Sequence, residues 1–337
     1  MFEITKPNIT AIVPLDLVHR PLDIISKARQ MAKAAKRSNV KIIFAHNDRG
    51  MWVDRLFRLV IGKCDAAVTI SKRFYTGNVN AALLRNEAFK HVEDEYLTLL
   101  DVDIWPDFSL IEKYRLKVVA HERPFYMLPC LYLTKKGSND LIRAKIDINQ
   151  LTQRFFSFSR KEFLHLASPS SVMVMRSKDY SILEGFNEAF SGHGYEDFDF
   201  MMRLAALHGD LDKAPDMLVD RTARSPLFAR GFRRYLGESC FDALLERDLA
   251  FHIFHERPDV EGYQAARKKN YELFVSLHEG KVSGKVIGDP TLISSFARFC
   301  AEKNLEVSEY GILFDNKPGH VDRFDTFRRR LRFLLNE

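Results

Sequence analysis

The sequence predicts an α/β fold: a Rossmann-like, mostly parallel central sheet flanked by helices, with a helical insertion and a C-terminal extension. Two observations carry this expectation. First, Ile9–Val13 and Lys41–Ala45 are β-branched, apolar runs, and between them Leu22, Ile25, Ala28, Ala32 and Ala35 recur at helical spacing. Strand, helix and strand in this order form a βαβ unit, whose right-handed crossover makes the strands parallel. Second, the apolar run Tyr96-Leu-Thr-Leu-Leu100 ends abruptly in Asp101 and Asp103, with Pro106 shortly after. Carboxylates at the C-terminal end of a buried strand open into the crevice where α/β sheets bind ligands. In an ideal strand Asp101 and Asp103 share a face and can approach one hard cation carrying a diphosphate. Alone, Asp-x-Asp is a weak signal, because solvated turns and helix starts carry it too.

The other elements follow in order. Pro14 ends the first strand, so Asp16, His19 and Arg20 fall in a loop, and Pro21 suits the first position of the next helix. The second strand leads to His46-Asn-Asp-Arg-Gly50. Ala66–Ile70 reads as a third strand, and Asn80–His91 as the helix leading to the Asp101 strand. Beyond Pro106, Ser109–Tyr114 reads as helix, Lys117–Ala120 as strand, and Pro124–Leu133 as a strand interrupted by its prolines. Residues 137–165 are polar and read as helical, and Ser170–Met175 is a further strand. From Gly185 a loop with three glycines runs into a helix whose first turn carries Glu196, Asp197 and Asp199. Residues 205–250 are basic and aromatic, His252-Ile-Phe-His-Glu-Arg-Pro258 follows, and the tail ends in the basic run Arg323–Arg332.

Composition narrows the function. With 337 residues, 46% of them hydrophobic and 28% charged, the chain can bury one large core or two smaller ones. A net charge of +6 suits an anionic ligand or an acidic membrane surface, but it is too modest and dispersed to argue for nucleic acid. Cys64, Cys130, Cys240 and Cys300 form no Cys-x-x-Cys, so neither a zinc site nor a disulfide framework is implied, and a reduced, cytoplasmic setting is expected. The first residues lack the basic and apolar regions of a signal peptide, and no run approaches the length of a membrane-spanning helix.

Four motifs in sequence resemble the metal-dependent nucleotide-sugar glycosyltransferases of the GT-A fold, in particular bacterial capsule-type enzymes and the galactosyltransferase family with its C-terminal Gly-Tyr-Glu-Asp segment. They are Ile12-Val-Pro-Leu-Asp-Leu-Val-His-Arg20, Asn47-Asp-Arg49, Ala82-Leu-Leu-Arg-Asn-Glu-Ala88 with Glu95 to Asp103, and Gly185-Phe-Asn-Glu188 through Tyr195-Glu-Asp197. The resemblance covers residues 8 to about 275. It implies a transferase domain over 1–275, split into a nucleotide-sugar half (1–106) and an acceptor half (107–275), with 276–337 packing on it.

By the same resemblance, Pro14, Asp16 and Arg20 line the nucleotide, Asn47 and Asp48 read the base, and Arg85 contacts the diphosphate or donor sugar. Asp101 and Val102 belong to the donor site. Asp197 is the general base of an inverting reaction, and Glu196 binds sugar hydroxyls. Asp101, Asp103 and His255 hold Mn²⁺ or Mg²⁺, with His252 as competitor for the histidine position. The donor is a UDP-sugar and the acceptor a saccharide, in capsule or other surface polysaccharide synthesis. Each position also has a plainer reading. Arg20 and Arg85 suit exposed helix positions, Asn47 and Asp48 suit a turn, and Glu196 and Asp197 suit a helix dipole. Where the family pattern carries tryptophan this chain has His193, which bears on acceptor identity.

Two segments remain open at this level. Arg221–Leu236 is a lid, a platform for an acidic acceptor or a solvated helical face. Val321–Leu335 places Phe324, Phe327, Leu331 and Leu334 on one face, for docking on the main domain or peripheral contact with an anionic membrane or polysaccharide-assembly complex. The rivals are a retaining transferase, a sugar nucleotidyltransferase, and a catalytically silent carbohydrate-binding protein. The second should carry a glycine-rich pyrophosphate loop, and residues 14–21 contain no glycine.

Overall fold

A computed structural model describes residues 9–209, 216–221, 223–256, 263–279 and 291–315, together with Phe327 and Leu331. The chain opens with β1 (Ile9–Asp16), α1 (Pro21–Arg37), β2 (Lys41–Asn47), α2 (Trp52–Ile61), β3 (Ala67–Lys72), α3 (Ala81–Phe89) and β4 (Tyr96–Leu99). Next come α4 (Phe108–Val119), β5 (Phe125–Met127), β6 (Cys130–Leu133), α5 (Lys135–Ile142), α6 (Ile148–Phe156) and β7 (Phe163–Ala167). They lead to β8 (Met173–Arg176), α7 (Ser177–Ile182), α8 (Glu196–Leu207), β9 (Asp220–Arg221) and β10 (Arg230–Gly231). The last are α9 (Phe232–Glu238), α10 (Phe241–Leu245), β11 (Ala250–His252), α11 (Tyr263–His278) and α12 (Ile293–Glu302).

The described residues form two compact units, one within 1–126, 171–210 and 257–277, the other within 127–170, 211–256 and 278–337. The first is organised on a six-stranded sheet in the order β3-β2-β1-β4-β8-β5. β1 runs parallel to β2 and β4, β2 parallel to β3, and β4 antiparallel to β8. This is the mostly parallel α/β architecture the sequence predicts. Ile12, Val13, Ile43, Phe44, Leu97 and Val174 are fully buried, and α1 adds Ala28, Met31, Ala32 and Ala35. Burying each large aliphatic side chain is worth about 1.5–3 kcal/mol, which fixes the strand register. Because β1, β2 and β4 are parallel, their C-terminal ends deliver Asp16, Asn47 and Asp101 to one edge of the sheet.

The second unit holds a three-stranded sheet, β11-β6-β7, with β11 parallel and β7 antiparallel to β6. Tyr132 of β6 is stacked between two imidazoles, His165 at 4.2 Å and His252 at 4.1 Å between ring centroids. Within the basic segment Arg221–Leu236, Leu227, Phe232 and Leu236 are buried. There Arg224, Arg233 and Arg234 pair with Asp315, Asp220 and Asp216.

Three local expectations are corrected. Pro14 does not end β1, which runs on to Asp16. Leu100 N–H donates to Ile12 O, so residue 12, and two residues on Pro14, face the β4 side, where β4 has already ended and no partner needs a proline N–H. Lys117–Ala120 is not a strand: Leu110, Ile111, Tyr114 and Val118 share the buried face of α4, and helical period outweighs two adjacent valines. The helical reading of 137–165 holds only through Phe156, because Phe163–Ala167 pairs with β6. Helix α2 carries no expectation from the sequence. Its start is held by Asp54, whose Oδ2 accepts from Met51 N at 2.7 Å. The tail expectation over 321–335 lies outside the described residues except for Phe327 and Leu331, both exposed.

Candidate active site

Arg85 is the centre of the first unit's polar cluster. It sits on α3, whose start is capped by the Asn80 side chain, and only 2% of its surface reaches solvent. Nη2 donates to Asp101 Oδ1 at 2.9 Å, and Nη1 lies 2.9 Å from Asp197 Oδ1. The guanidinium also stacks on Phe186, 4.8 Å from the ring centre. Ser171 Oγ donates to the other Asp101 oxygen at 2.9 Å. Next to Arg85, Asn86 ties α3 to the glycine-rich segment. Its Oδ1 accepts from Tyr180 OH at 2.7 Å and Phe186 N at 2.8 Å, and its Nδ2 donates to Phe186 O and Glu188 Oε1. A Cβ at Gly185, where φ is +72°, would meet Asn86 Oδ1 at 2.3 Å. Any side chain there is strained and must displace Asn86.

The approach to α8 is strained. Gly192 and Gly194 have φ of +88° and +95°, and Tyr195 stands at φ +75°, a conformation an aromatic side chain rarely adopts. From α11, Asn270 Nδ2 donates to Ser191 O at 3.2 Å and Gly194 O at 3.0 Å, which pins this turn from behind. The helix then begins with Glu196 and Asp197. Burial pushes both carboxyls up, against the pull of Arg85, and Asp101 adds to the rise in each. Asp197 reaches about 7. It keeps 25% of its side chain open. Glu196 is buried, Gly194 N–H donates to its carboxylate, and its Oε2 has no hydrogen-bond partner among the described residues. Asp199 is different: Arg203 holds it and also donates to Leu183 O and Gly185 O. That acid is structural.

Asp103 faces a separate set of partners. Arg20 Nη2 donates to its Oδ2 at 2.9 Å and Nη1 to its Oδ1 at 3.2 Å, while Lys27 Nζ donates to Oδ1 at 2.6 Å. Asp101 and Asp103 do not share a strand face: β4 stops at Leu99 and the chain turns through Val102, so each carboxylate meets its own cation. Arg20 itself caps α1 at φ +52°.

The nucleotide-side candidates cluster around Asp16. Its carboxylate accepts from Arg49 at 2.7 Å, Tyr75 OH at 2.9 Å, Val18 N at 3.0 Å and Asn47 Nδ2 at 3.1 Å. Burial works against ionisation, yet these donors hold the Asp16 carboxyl below the usual range. Asn47 is fully buried, and its Oδ1 accepts from Phe74 N and Tyr75 N. Asp48 pairs with Arg58 and accepts from Gly50 N at 2.8 Å. Pro14 lies within β1 and Val102 is buried. In the second unit, His252 is buried against Tyr132, and His255 Nδ1 lies 3.1 Å from Glu256 O.

The sequence profile of glycosyltransferase like family 2 matches residues 60–278. The chain belongs to this family. Among solved structures, residues 1–349 of S. aureus TarS are 13% identical, with a TM-score of 0.37, over 58% of this chain and 55% of that one. The catalytic domain of Drosophila β1,4-galactosyltransferase 7, in complex with xylobiose, is 15% identical, with a TM-score of 0.31, over 58% and 60%. Glucosyl-3-phosphoglycerate synthase from Mycobacterium tuberculosis, in complex with Mn²⁺, UDP and glucosyl-3-phosphoglycerate, is 7% identical, with a TM-score of 0.36, over 84% and 83%. The chain thus spans just over half the length of the first two. No curated protein matches the chain.

For this member of glycosyltransferase like family 2, the donor chemistry of the Asp101–Asp103 turn fits a hard divalent cation. It offers carboxylate oxygens, each already facing positive charge, and 38% of the Asp101 side chain is open. Three contributors escaped the sequence reading. Lys27 is seven residues beyond Arg20, on the same side of α1, and this two-turn spacing was its signal. Ser171 precedes a strand without any motif, and Asn270 lies on a helix the sequence leaves unmarked. Among the described residues no helix is long and apolar enough to cross a membrane.

Proposed function

We propose that the chain moves a sugar from a UDP-sugar to a hydroxyl of a saccharide acceptor, with inversion and with Asp197 as general base. The observation that carries this reading is Arg85, which touches Asp101 and Asp197 with the two ends of one buried guanidinium. The donor-side carboxylate and the candidate base therefore belong to one cluster, although Asp101 and Asp197 lie 96 positions apart in the sequence.

In this reading Asp101, Asp103 and His255 hold Mn²⁺ or Mg²⁺, and Pro14, Asp16, Arg20, Asn47, Asp48 and Val102 surround the nucleotide. The bound cation supplies Lewis-acid stabilisation of the departing nucleoside diphosphate. Asp197 takes the proton of the acceptor hydroxyl as its oxygen bonds to the anomeric carbon and the bond from that carbon to the diphosphate oxygen breaks. Arg85 offsets negative charge that builds beside the two aspartates. A carboxyl near 7 is suited to accept a proton at neutral pH. Glu196 Oε2, which has no hydrogen-bond partner among the described residues, is our candidate to receive a sugar hydroxyl, since a buried polar atom is ordinarily paired. We place the product in capsule or other surface polysaccharide and the acceptor specificity near His193.

Asp197→Asn tests the assignment. Transfer should fall by about 10²–10⁴-fold, while UDP binding measured by calorimetry stays within error. Near wild-type turnover in this variant would remove Asp197 from the mechanism.

A further inference from the structure

The partners of Asp103 bear on the order in which ligands bind. Arg20 and Lys27 form a closed alternation of charge with Asp23 and Asp103. Arg20 reaches Asp23 at 2.6 Å and Asp103 at 2.9 Å, and Lys27 reaches Asp23 at 3.0 Å and Asp103 at 2.6 Å. Both oxygens of Asp103 thus already face a cation of the protein. The group is sheltered: 9% of the Asp103 side chain and 10% of the Lys27 side chain are open, where screening by water is weak. Asp23 needs only one cation, since it lies exposed with 42% of its side chain open. Two cations are more than helix-start electrostatics require.

We propose that Lys27 is a tethered competitor of the divalent ion for Asp103, and that it turns to the donor diphosphate when that ion binds. The inference rests on the proposed metal-dependent reading and adds a residue and a rule of binding to it. A divalent ion arriving alone must displace Lys27 or sit against its charge, and both weaken binding. A nucleoside diphosphate bound together with the ion would offer the Lys27 ammonium a new anionic partner. Ion and nucleotide are therefore coupled through Lys27, and by linkage each strengthens the other by the same factor. Lysine suits this task because its ammonium is a compact charge on a flexible stem.

The test is a Mn²⁺ titration of the full chain, read by the loss of free-ion paramagnetic resonance signal, with and without UDP. In the wild type UDP should tighten Mn²⁺ binding markedly. Lys27→Met should bind Mn²⁺ alone about tenfold more tightly and lose most of the UDP effect, whereas Lys27→Arg should keep the wild-type pattern. A thermal midpoint for each variant establishes that it is folded. If Lys27→Met shows the wild-type Mn²⁺ affinity and the wild-type UDP effect, the role of Lys27 is overturned and the metal reading stands. If the wild type takes up no Mn²⁺ with UDP present, the metal reading falls and this inference with it.

Discussion

Arg85 Nη1 lies 2.9 Å from Asp197 Oδ1, with the guanidinium 2% exposed and its other nitrogen on Asp101. A single buried cation therefore counterbalances acids from two separate elements. Arg85→Met leaves two partly open carboxylates without their shared cation, and the loss should be about 1–3 kcal/mol. Urea unfolding should show that loss. Arg85→Lys should restore only part of it, because an ammonium cannot present the two-pronged geometry. A Met variant within about 1 kcal/mol of wild type would contradict the arrangement.

Acidity should follow from the same cluster. Burial first, then Glu196 and Asp101, raise the Asp197 carboxyl from 3.8 to about 7 despite Arg85. If Asp197 is the base, as proposed, transfer should rise with pH through about 7 as it loses its proton. Glu196→Gln should move this limb down, because Glu196 helps to raise the Asp197 carboxyl. For stability the sign is opposite. Between 3.8 and about 7 the native state holds the Asp197 proton longer than the unfolded chain. Its contribution is thus complete below the lower value and is lost as pH rises through the upper one. Thermal midpoints against pH should show this decline, and Asp197→Asn should lack it.

Gly185→Ala should be costly although it adds one methyl group. The residue stands at φ +72°, and the new carbon would meet Asn86 Oδ1 at 2.3 Å. Conformational strain alone costs about 1–3 kcal/mol. A drop in the thermal midpoint is expected, together with loss of transfer, because Phe186 and Arg85 shift with the loop.

Asn270→Ala tests how the glycine turn before Asp197 is held. Two carbonyls, of Ser191 and Gly194, lose their shared donor. The expected outcome is a fall in kcat of at least about tenfold with UDP affinity unchanged, measured by steady-state kinetics and calorimetry. Equal kcat would show that the turn is self-supporting.

Much of this was legible in the chain itself. The parallel strands announce themselves through β-branched runs separated by a helical repeat, and Asp101, Glu196 and Asp197 by carboxylates at element ends. What local sequence could not give is which acids share a cation. Asp101 and Asp103 are two residues apart yet face Arg85 and Lys27 respectively, because β4 ends before them. Likewise Lys117–Ala120 has strand composition, and only the buried stripe of α4 over twelve residues reveals the helix. Asp16 and Asn47 read as ligand-facing from their strand ends, whereas the folded chain binds them to each other and to Arg49 and Tyr75.

The fit of Asn86 against a glycine 99 positions later constrains how the scaffold can be recombined. A graft that replaces the segment from 185 to 195 in order to change the acceptor must carry a compatible partner at 86, or the incoming loop will collide with α3. Residues 86 and 185 travel as a pair, so the seam of any chimera has to run outside both.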